Sequence, residues 1–203
     1  MLAYALGDGL YLNLTSACTL ACTFCPKIRD GDWVVGGYDL KLRRAPTADE
    51  VWRDAQELGL ADRSEVVFTG LGEPTRRMAV LLDLVRRLKN AGVERVRLDT
   101  DGLANLREGR DVTPDLARAG LDAASVSLNA PDAVTYARIC PSAFGERAYD
   151  GCRDFIRSAI AAGIEVAASC VALPELVEAE CRAAAEGLGA SFRWRPFNRL
   201  GRL

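Results

Sequence analysis

Three cysteines lie within eight residues of the chain, at Cys18, Cys22 and Cys25, with the spacing C-x3-C-x2-C. They directly follow an alternating apolar stretch, residues 10–15, that is typical of a β-strand. Thiolates are ligands for zinc and for iron–sulfur clusters. Three of them on one loop can bind a single metal centre and leave it one ligand short. A metal centre with an open position can take part in chemistry.

Composition narrows the kinds of chemistry that remain. The chain has 203 residues, a net charge of -2 and no histidine. This length fits one domain, so we expect a single domain over residues 1–203, and the charge favours neither nucleic acid nor a membrane surface as a partner. The lack of histidine excludes Ser-His and Cys-His nucleophile pairs and histidine-based zinc hydrolase motifs. Chemistry must therefore use cysteine, carboxylate, lysine or a bound cofactor.

The cysteine count indicates a reducing compartment. There are 7 cysteines, an odd number, and three of them are close together. This pattern argues against a paired disulfide framework. The N-terminal residues lack the basic region of a signal peptide, and no apolar run approaches the ~18 residues of a membrane-spanning helix. We expect a cytoplasmic protein with no membrane partner.

Strands and helices are predicted to alternate about six times. Strands are predicted at residues 10–15, 65–69, 95–98, 123–128, 164–171 and 191–195, and helices at residues 47–60, 76–91, 113–119, 149–162 and 175–188. Such alternation is typical of an α/β fold with a parallel sheet. A closed eight-fold barrel takes ~250 residues. Six units therefore predict an open, partial β/α barrel, with a small hairpin at Gly36-Gly37.

Four unusual loops follow predicted strands and so should meet at one rim, because active-site groups of such folds lie at the carboxyl ends of the strands. They are the cysteine loop and residues 70–74, 99–102 and 127–129. Residues 70–74 alone are compatible with a tight turn, residues 99–102 with an ordinary turn, and Ser127 and Asn129 with polar positions near a strand end. Their convergence on one edge is what indicates a site.

The three cysteines after a first strand, with Phe24 before the third, resemble the radical SAM superfamily, and the Gly-Leu-Gly-Glu loop after the second strand supports the resemblance. The similarity extends from residue 10 to residue 197. Residues 11–15, the insert at 35–39 and the short C-terminus resemble the TatD-family-associated radical SAM proteins. The resemblance implies a radical SAM core with a cluster loop at residues 16–27 and an inserted loop or hairpin at residues 28–46.

The cofactors implied by the resemblance are a 4Fe–4S cluster and S-adenosylmethionine. Cys18, Cys22 and Cys25 would bind three irons, and S-adenosylmethionine would bind the fourth. The other residues that correspond to family contacts with S-adenosylmethionine are Phe24, Gly70, Gly72, Glu73, Thr100, Asp101, Ser127, Asn129 and Val171. Family members often carry aspartate where this chain has Asn129, and an amide can still bond a ribose hydroxyl.

The implied reaction is reductive cleavage of S-adenosylmethionine to methionine and a 5′-deoxyadenosyl radical, which abstracts hydrogen from an unidentified substrate. A flavodoxin or ferredoxin would supply the electron. The alternative is a non-catalytic metal-binding module, with zinc or a structural cluster. A structural zinc site would need a fourth cysteine, and the candidates are Cys140, Cys152, Cys170 and Cys181.

Two further features have both a functional and a structural interpretation. Cys140 is predicted to lie in a loop before a proline, either as a substrate-side thiol or hydrogen donor to a radical, or as a partly buried loop cysteine. The C-terminal segment carries Arg193, Arg195, Arg199 and Arg202 without acidic residues. A solvated basic end is the default interpretation, so nucleic-acid binding is not expected.

Overall fold

One seven-stranded sheet organises the molecule. The computed structural model describes residues 1–197, and of residue 61 only the backbone. The strands of the sheet are β1 (Ala3–Leu6), β2 (Gly9–Asn13), β5 (Glu65–Thr69), β6 (Val96–Thr100), β7 (Ala123–Ser127), β8 (Glu165–Val171) and β9 (Ser191–Arg195). They lie side by side in that order, which is also their order along the chain.

The other six strands of this sheet, β2, β5, β6, β7, β8 and β9, are parallel, as the sequence predicts. The strand β1 was not predicted, and it pairs antiparallel with β2 through Tyr4 and Tyr11. The two edges of the sheet, β1 and β9, are not paired with each other. The α/β class and the open barrel of six parallel units are therefore confirmed, with one additional antiparallel edge strand.

Eight α-helices accompany the sheet in the described part of the chain: α1 (Pro26–Arg29), α2 (Ala48–Glu57), α3 (Met78–Asn90), α4 (Ala104–Glu108), α5 (Thr113–Ala119), α6 (Ala133–Ile139), α7 (Arg147–Ala161) and α8 (Glu178–Glu186). Two 3₁₀ turns span Leu60–Asp62 and Pro74–Arg77. The five predicted helices are all present. The short helices α1, α4 and α6 were not predicted. The first two have only 4 and 5 residues, too few to show a helical period, and the Asp132 cap that begins α6 was not recognised.

A local sequence signal explains where the helix α2 begins. The Thr47 hydroxyl accepts a hydrogen bond from the backbone N–H of Glu50, and the Glu50 carboxylate accepts one from the Thr47 N–H. This capping box satisfies two backbone donors that the first turn leaves open. The capping box begins α2, and the helix buries Val51 and Ala55 completely.

The two faces of the sheet differ in chemistry. One face carries fully buried apolar side chains, such as Leu10, Phe68 and Leu98, which belong to the core shared with the helices. The opposite face carries half-buried polar side chains, including Arg97 and Asp99 on β6. This alternation leaves a polar, accessible surface below the carboxyl ends of the strands.

The predicted hairpin forms from β3 (Val34–Val35) and β4 (Tyr38–Asp39), with Gly36 and Gly37 both at positive φ in the turn. Its Tyr38 ring packs 5.1 Å from the ring of Tyr4, and its hydroxyl donates to the carbonyl of Ala5 at 3.0 Å. The insert therefore covers the polar face of the sheet beside β1. Among residues 1–197, no helix has the length and apolar character needed to span a membrane.

Candidate metal and cofactor site

The cysteine loop follows β2 and is fastened by backbone hydrogen bonds to two other segments. Ala21 N donates to Pro141 O at 2.8 Å, and Thr23 N donates to Ile139 O at 2.9 Å. On the other side, Glu73 N donates to Ala17 O at 2.9 Å. An irregular loop needs such partners because its buried backbone N–H and C=O groups are not paired within a helix or a sheet. The loop is thus held between the segment after α6 and the loop after β5.

Gly72 lies in contact with the backbone of the cysteine loop. A Cβ atom at this position would stand 1.9 Å from the carbonyl oxygen of Thr15 and 2.9 Å from that of Ala17. Gly70 has a φ of +136° and approaches the buried side chain of Asn13, with a built Cβ 2.7 Å from its Oδ1. Both positions require glycine, because a side chain would displace the segment that carries the cysteines.

Glu73 is 2% exposed and joins the loops after β5 and β6. Its Oε1 accepts from Thr75 N at 3.0 Å, from Thr75 Oγ1 at 2.7 Å and from Thr100 Oγ1 at 2.8 Å. Its Oε2 accepts from Asp101 N at 2.7 Å. Oε2 thus accepts one of the four hydrogen bonds to this carboxylate and is the less occupied of its two oxygens, so it is the one open to a further donor.

Asp101 and Thr100 are buried directly beside Glu73. Asp101 Oδ1 accepts from Leu103 N at 2.9 Å, whereas Oδ2 has no partner at hydrogen-bond distance among the described residues, and the hydroxyl of Thr19 is near enough to lower the pKa of this carboxyl group. Burial, followed by the nearby charge of Glu73, raises the pKa of Asp101 well above its usual range. The charge of Asp101 also raises the pKa of Cys18 and Cys22, which places this carboxyl group beside the cysteine loop.

Asn129 is the one non-glycine residue with positive φ, at 56°, in the part of the chain that the structure describes. Its backbone N–H donates to Ser169 O at 3.0 Å, and its side chain is 3% exposed. Asparagine tolerates this left-handed conformation better than most residues. Two residues earlier, Ser127 is half-buried and pairs in register with Ser169 on β8.

Two hydrophobic residues of the predicted site, Phe24 and Val171, belong to the cysteine loop and to the end of β8. Phe24 is partly buried and packs on the core. Val171 is 9% exposed at the end of β8, where it pairs with Arg195 of β9. Both contribute apolar surface beside the polar loops.

Several buried polar atoms at this edge have no partner at hydrogen-bond distance among residues 1–197. They belong to the cysteine loop, to the ends of β6, β7 and β8, and to α6: Thr19 Oγ1, Asp101 Oδ2, Asn129 Oδ1, Ser169 Oγ and Tyr136 OH. A buried polar atom without a partner costs about 1–3 kcal/mol. Such a concentration is characteristic of a site that a polar ligand completes.

Burial keeps the loop thiols protonated in the metal-free chain. It raises the pKa of Cys18 to about 12 and raises that of Cys25 as well, and the pKa of Cys22 is raised first by its contact with Cys140 and then by burial. Within residues 1–197 no group of three or more cysteine, histidine or acidic side chains is arranged to bind a metal ion. A metal centre must therefore displace protons and draw the thiolates together.

Cys140 differs in part from its predicted setting. It was predicted to lie in a loop, and it is the C-cap residue of α6 and is 0% exposed. Its Sγ lies 3.5 Å from Cys22 Sγ, and Asn129 Nδ2 donates to it at 3.4 Å. Cys140 therefore lies after the last residue of α6 and before Pro141, outside any helix as predicted, but it is fully buried and the helix before it was not predicted. Its role as a hydrogen donor to a radical stays a prediction.

The other candidates for a fourth zinc ligand lie elsewhere. Cys152 contacts the carbonyl of Ser127 at 4.0 Å, and Cys170 and Cys181 interact with each other. Arg193 and Arg195 of the basic C-terminal segment lie on β9, whereas Arg199 and Arg202 lie outside the described residues.

Sequence analysis did not identify four polar residues of this edge: Thr19, Thr75, Tyr136 and Ser169. Thr75 binds Glu73 and also accepts from Arg107, whose Nη2 donates to Thr75 O at 2.7 Å. The alternation of β8 places Ser169 on the same face as Ser127, and that signal was available from the sequence. The signal for Tyr136 was Asp132, the N-cap residue whose side chain accepts from Thr135 N and begins α6, and it was not recognised.

An open β/α barrel with a three-cysteine loop at the carboxyl edge of its strands defines a class of metal-cofactor proteins. The donor set is soft and lacks a fourth cysteine in the same loop, and the unpartnered polar atoms adjoin it. These residues fit a cluster together with a polar organic ligand. The chain belongs to the Radical SAM superfamily, whose family model matches residues 12–186. That superfamily uses a 4Fe–4S cluster and S-adenosylmethionine.

Comparison with curated proteins supports the same family. The chain is 33% identical over 159 residues to a probable GTP 3′,8-cyclase of Saccharolobus solfataricus, covering 77% of this chain and 45% of the relative. It is 30% identical over 179 residues to the GTP 3′,8-cyclase of Rhodopirellula baltica, covering 85% of this chain and 45% of the relative. The chain thus spans less than half the length of these relatives.

Solved structures share the fold. The structure of anSMEcpe with bound AdoMet gives a TM-score of 0.67 at 15% identity, covering 93% of this chain and 50% of the other. Methylornithine synthase (PylB) gives a TM-score of 0.66 at 15% identity, covering 94% of this chain and 53% of the other. At these identities the likeness shows the fold alone.

Proposed function

We propose that this chain is a radical SAM enzyme that cleaves S-adenosylmethionine and abstracts hydrogen from a substrate. When bound, the 4Fe–4S cluster supplies the electron that converts S-adenosylmethionine into methionine and a 5′-deoxyadenosyl radical. The observation that carries the proposal is the joining of the cysteine loop to three other strand-end loops beside a group of unpartnered polar atoms.

Cys18, Cys22 and Cys25 are the proposed iron ligands. All three are half-buried on one loop, and the bonds from Ala21, Thr23 and Glu73 keep the loop backbone in place. Partial burial limits access of water and oxygen to the metal, and the missing fourth thiolate leaves one iron for the second cofactor.

The loop of Gly70, Gly72 and Glu73 is the proposed binding site for the methionine ammonium group. The free acceptor capacity of Glu73 Oε2 and the absence of side chains at the glycines support it. Glu73 has a second function that the structure makes evident, since it fixes Thr100 and Asp101 in position. Asp101 Oδ2 is then available to a polar group of the bound cofactor.

Ser127 and Asn129 are the proposed contacts for ribose hydroxyl and carboxylate groups. The Asn129 Oδ1 atom is buried and has no partner, so a hydroxyl donor would satisfy it. Phe24 and Val171 are proposed to flank the adenine, because both place apolar surface beside the polar loops.

At a finer level, we propose that residues 1–203 form one radical SAM core domain of the TatD-family-associated group. The hairpin of β3 and β4, which packs on Tyr4, corresponds to the insert that suggested this group. The seven free cysteines favour a reducing, cytoplasmic location. A flavodoxin or ferredoxin is the proposed electron donor, as the one-electron reduction requires.

The test is anaerobic reconstitution of the chain with iron and sulfide, followed by incubation with S-adenosylmethionine and a reductant. Release of 5′-deoxyadenosine is expected, and Cys22→Ala should abolish it together with the bound iron. The control is Cys181→Ala, which removes a fully buried thiol that lies away from the loop. GTP is the first substrate to add, because the curated relatives are named GTP 3′,8-cyclases.

The alternative function, a non-catalytic zinc site, has one observation in its favour. Cys140 lies 3.5 Å from Cys22 and could complete a four-cysteine set. Stoichiometric zinc in protein produced with iron available, with no 5′-deoxyadenosine release after reconstitution, would support zinc binding and refute the enzyme.

A further inference from the structure

The contact between Cys140 and Cys22 joins two residues that are 118 positions apart in the chain. Backbone hydrogen bonds on both sides hold it in place: Ala21 N donates to Pro141 O at 2.8 Å, and Thr23 N donates to Ile139 O at 2.9 Å. The residue on each side of Cys22 is thus bonded to the residue on each side of Cys140. The 3.5 Å separation of the sulfur atoms is a consequence of backbone pairing and not of a chance side-chain rotamer.

A third residue determines where the proton of Cys140 can point. Asn129 Nδ2 donates to Cys140 Sγ at 3.4 Å. Asn129 is itself held by its backbone bond to Ser169 O at 3.0 Å. The Cys140 sulfur therefore already accepts a hydrogen bond, and its own S–H is left to donate.

The direction of the Cys22–Cys140 bond follows from metal binding. A metal-bound cysteine is a thiolate, which accepts hydrogen bonds and has no proton to give. With Cys22 bound to iron, the Cys140 S–H becomes the donor and the Cys22 sulfur the acceptor. The result is a chain of donors that runs from Asn129 to Cys140 to Cys22.

We propose that Cys140 is a positioning residue of the metal centre, whose S–H donates to the Cys22 thiolate and raises the reduction potential of the cluster. The inference rests on the proposed function. Hydrogen bonds to cluster sulfurs stabilise the more negative, reduced state, and they are one of the factors that set cluster potentials. The effect is strengthened here because Cys140 is 0% exposed and no water competes for the bond.

The decisive experiment is a redox titration of the reconstituted cluster, followed by electron paramagnetic resonance without substrate. Cys140→Ala removes the donor, and Cys140→Ser keeps one. At a fixed poised potential, the ratio of reduced to oxidised cluster should fall about threefold in the alanine variant. This change is smaller than the full contribution of a hydrogen bond to a charged group. The serine variant should stay close to the parent chain.

Two controls separate the hydrogen bond from loss of packing. Cys181→Ala removes another fully buried thiol outside the site and should leave the potential unchanged. The pair Cys140→Thr and Cys140→Val has matched volume and differs only in the hydroxyl donor, so the threonine variant should have the higher potential. This pair also decides the question if the alanine variant does not fold.

The outcomes distinguish the inference from the proposed function. If the parent chain forms no cluster, the proposed function fails and this inference fails with it. If the cluster forms but alanine and serine variants have the same potential, only the inference fails. Loss of iron from the alanine variant would make Cys140 a ligand and would also overturn the inference.

An independent readout uses the metal-free chain. The oxidant diamide takes one hydrogen from each of two thiols and is reduced to a hydrazine while a disulfide forms. It should link Cys22 to Cys140, detected by peptide mass spectrometry. A link of Cys22 to Cys18 or Cys25 instead would contradict the contact on which the inference is built.

Discussion

Gly72 lies directly against the carbonyl oxygen of Thr15, so that a Cβ atom on the glycine would stand 1.9 Å from that oxygen. Thr15 precedes the three cysteines, and Gly72 precedes the buried Glu73. The loop after β5 therefore supports the cysteine loop as well as carrying the proposed ammonium site. One segment couples the position of the proposed iron ligands to the position of the proposed ammonium site.

Replacement of Gly72 by alanine should displace the cysteine loop. The added carbon cannot fit beside a backbone carbonyl, so we expect the free energy of unfolding to fall by ~2–3 kcal/mol. Iron retained after reconstitution should fall as well. Gly187→Ala is the control, because a Cβ there lies 3.1 Å from Ala183 O at the end of α8, away from the site. Equal iron content in the two variants would contradict the coupling.

Glu73→Gln should weaken the junction between two loops. The amide nitrogen would confront the backbone N–H of Asp101, which now donates to Glu73 Oε2 at 2.7 Å. The buried N–H groups of Asp101 and of the new amide would then face each other without an acceptor. This loss should lower the free energy of unfolding by about 2–3 kcal/mol in chemical denaturation. The control is Glu108→Gln, an exposed partner of Arg107, which should cost less than ~1 kcal/mol. A similar small cost for both variants would show that Glu73 has no structural function.

The parallel part of the fold and the position of the site followed from local patterns. Predicted and observed limits agree at residues 65–69, 113–119 and 191–195. These elements show, in turn, a continuous apolar run, a proline in the first helical turn and an alternating strand pattern. The Thr47 capping box was likewise recognised from the sequence. The order of the strands then places their carboxyl-end loops at one edge.

Other features of the site depend on contacts that local patterns cannot show. Helix α6 was not recognised, so Tyr136 was not placed on a helix and the full burial of Cys140 after it was not expected. The approach of Cys140 to Cys22 spans 118 positions. The use of Glu73 as a junction between loops depends on Thr75, Thr100 and Asp101 meeting around one carboxylate, and that requires the folded sheet.

The metal-free chain should lose stability at alkaline pH through Cys18. The folded chain holds the Cys18 proton more tightly, since its pKa rises from 9.0 to about 12 on burial. This stabilisation is complete below pH 9 and is lost as the pH rises toward 12. Denaturation at pH 8 and at pH 10.5 should show a larger loss for the parent chain than for Cys18→Ser, which does not titrate there. Equal losses of stability in the parent chain and in Cys18→Ser would contradict the raised pKa of Cys18.

Tyr136 and Tyr149 form a matched pair that tests whether the cofactor satisfies a buried hydroxyl without a partner in the described chain. Their rings lie 5.7 Å apart, but Tyr149 OH donates to Pro131 O at 2.6 Å, whereas Tyr136 OH has no partner. Tyr149→Phe should destabilise the cofactor-free chain by ~1 kcal/mol, and Tyr136→Phe should leave it equal or more stable. Tyr136→Phe should in turn weaken S-adenosylmethionine binding by the reconstituted protein, measured by equilibrium dialysis. Unchanged binding would show that the cofactor does not satisfy this hydroxyl.

The central claim is that the three-cysteine loop holds a cluster that cleaves S-adenosylmethionine. It is tested most directly by measuring 5′-deoxyadenosine after single turnover of the anaerobically reconstituted, reduced chain. The account predicts 5′-deoxyadenosine and methionine in equal amounts, and neither product from the Cys22→Ala variant. A chain that carries iron and sulfide at cluster stoichiometry yet releases no 5′-deoxyadenosine, with or without GTP, would contradict it.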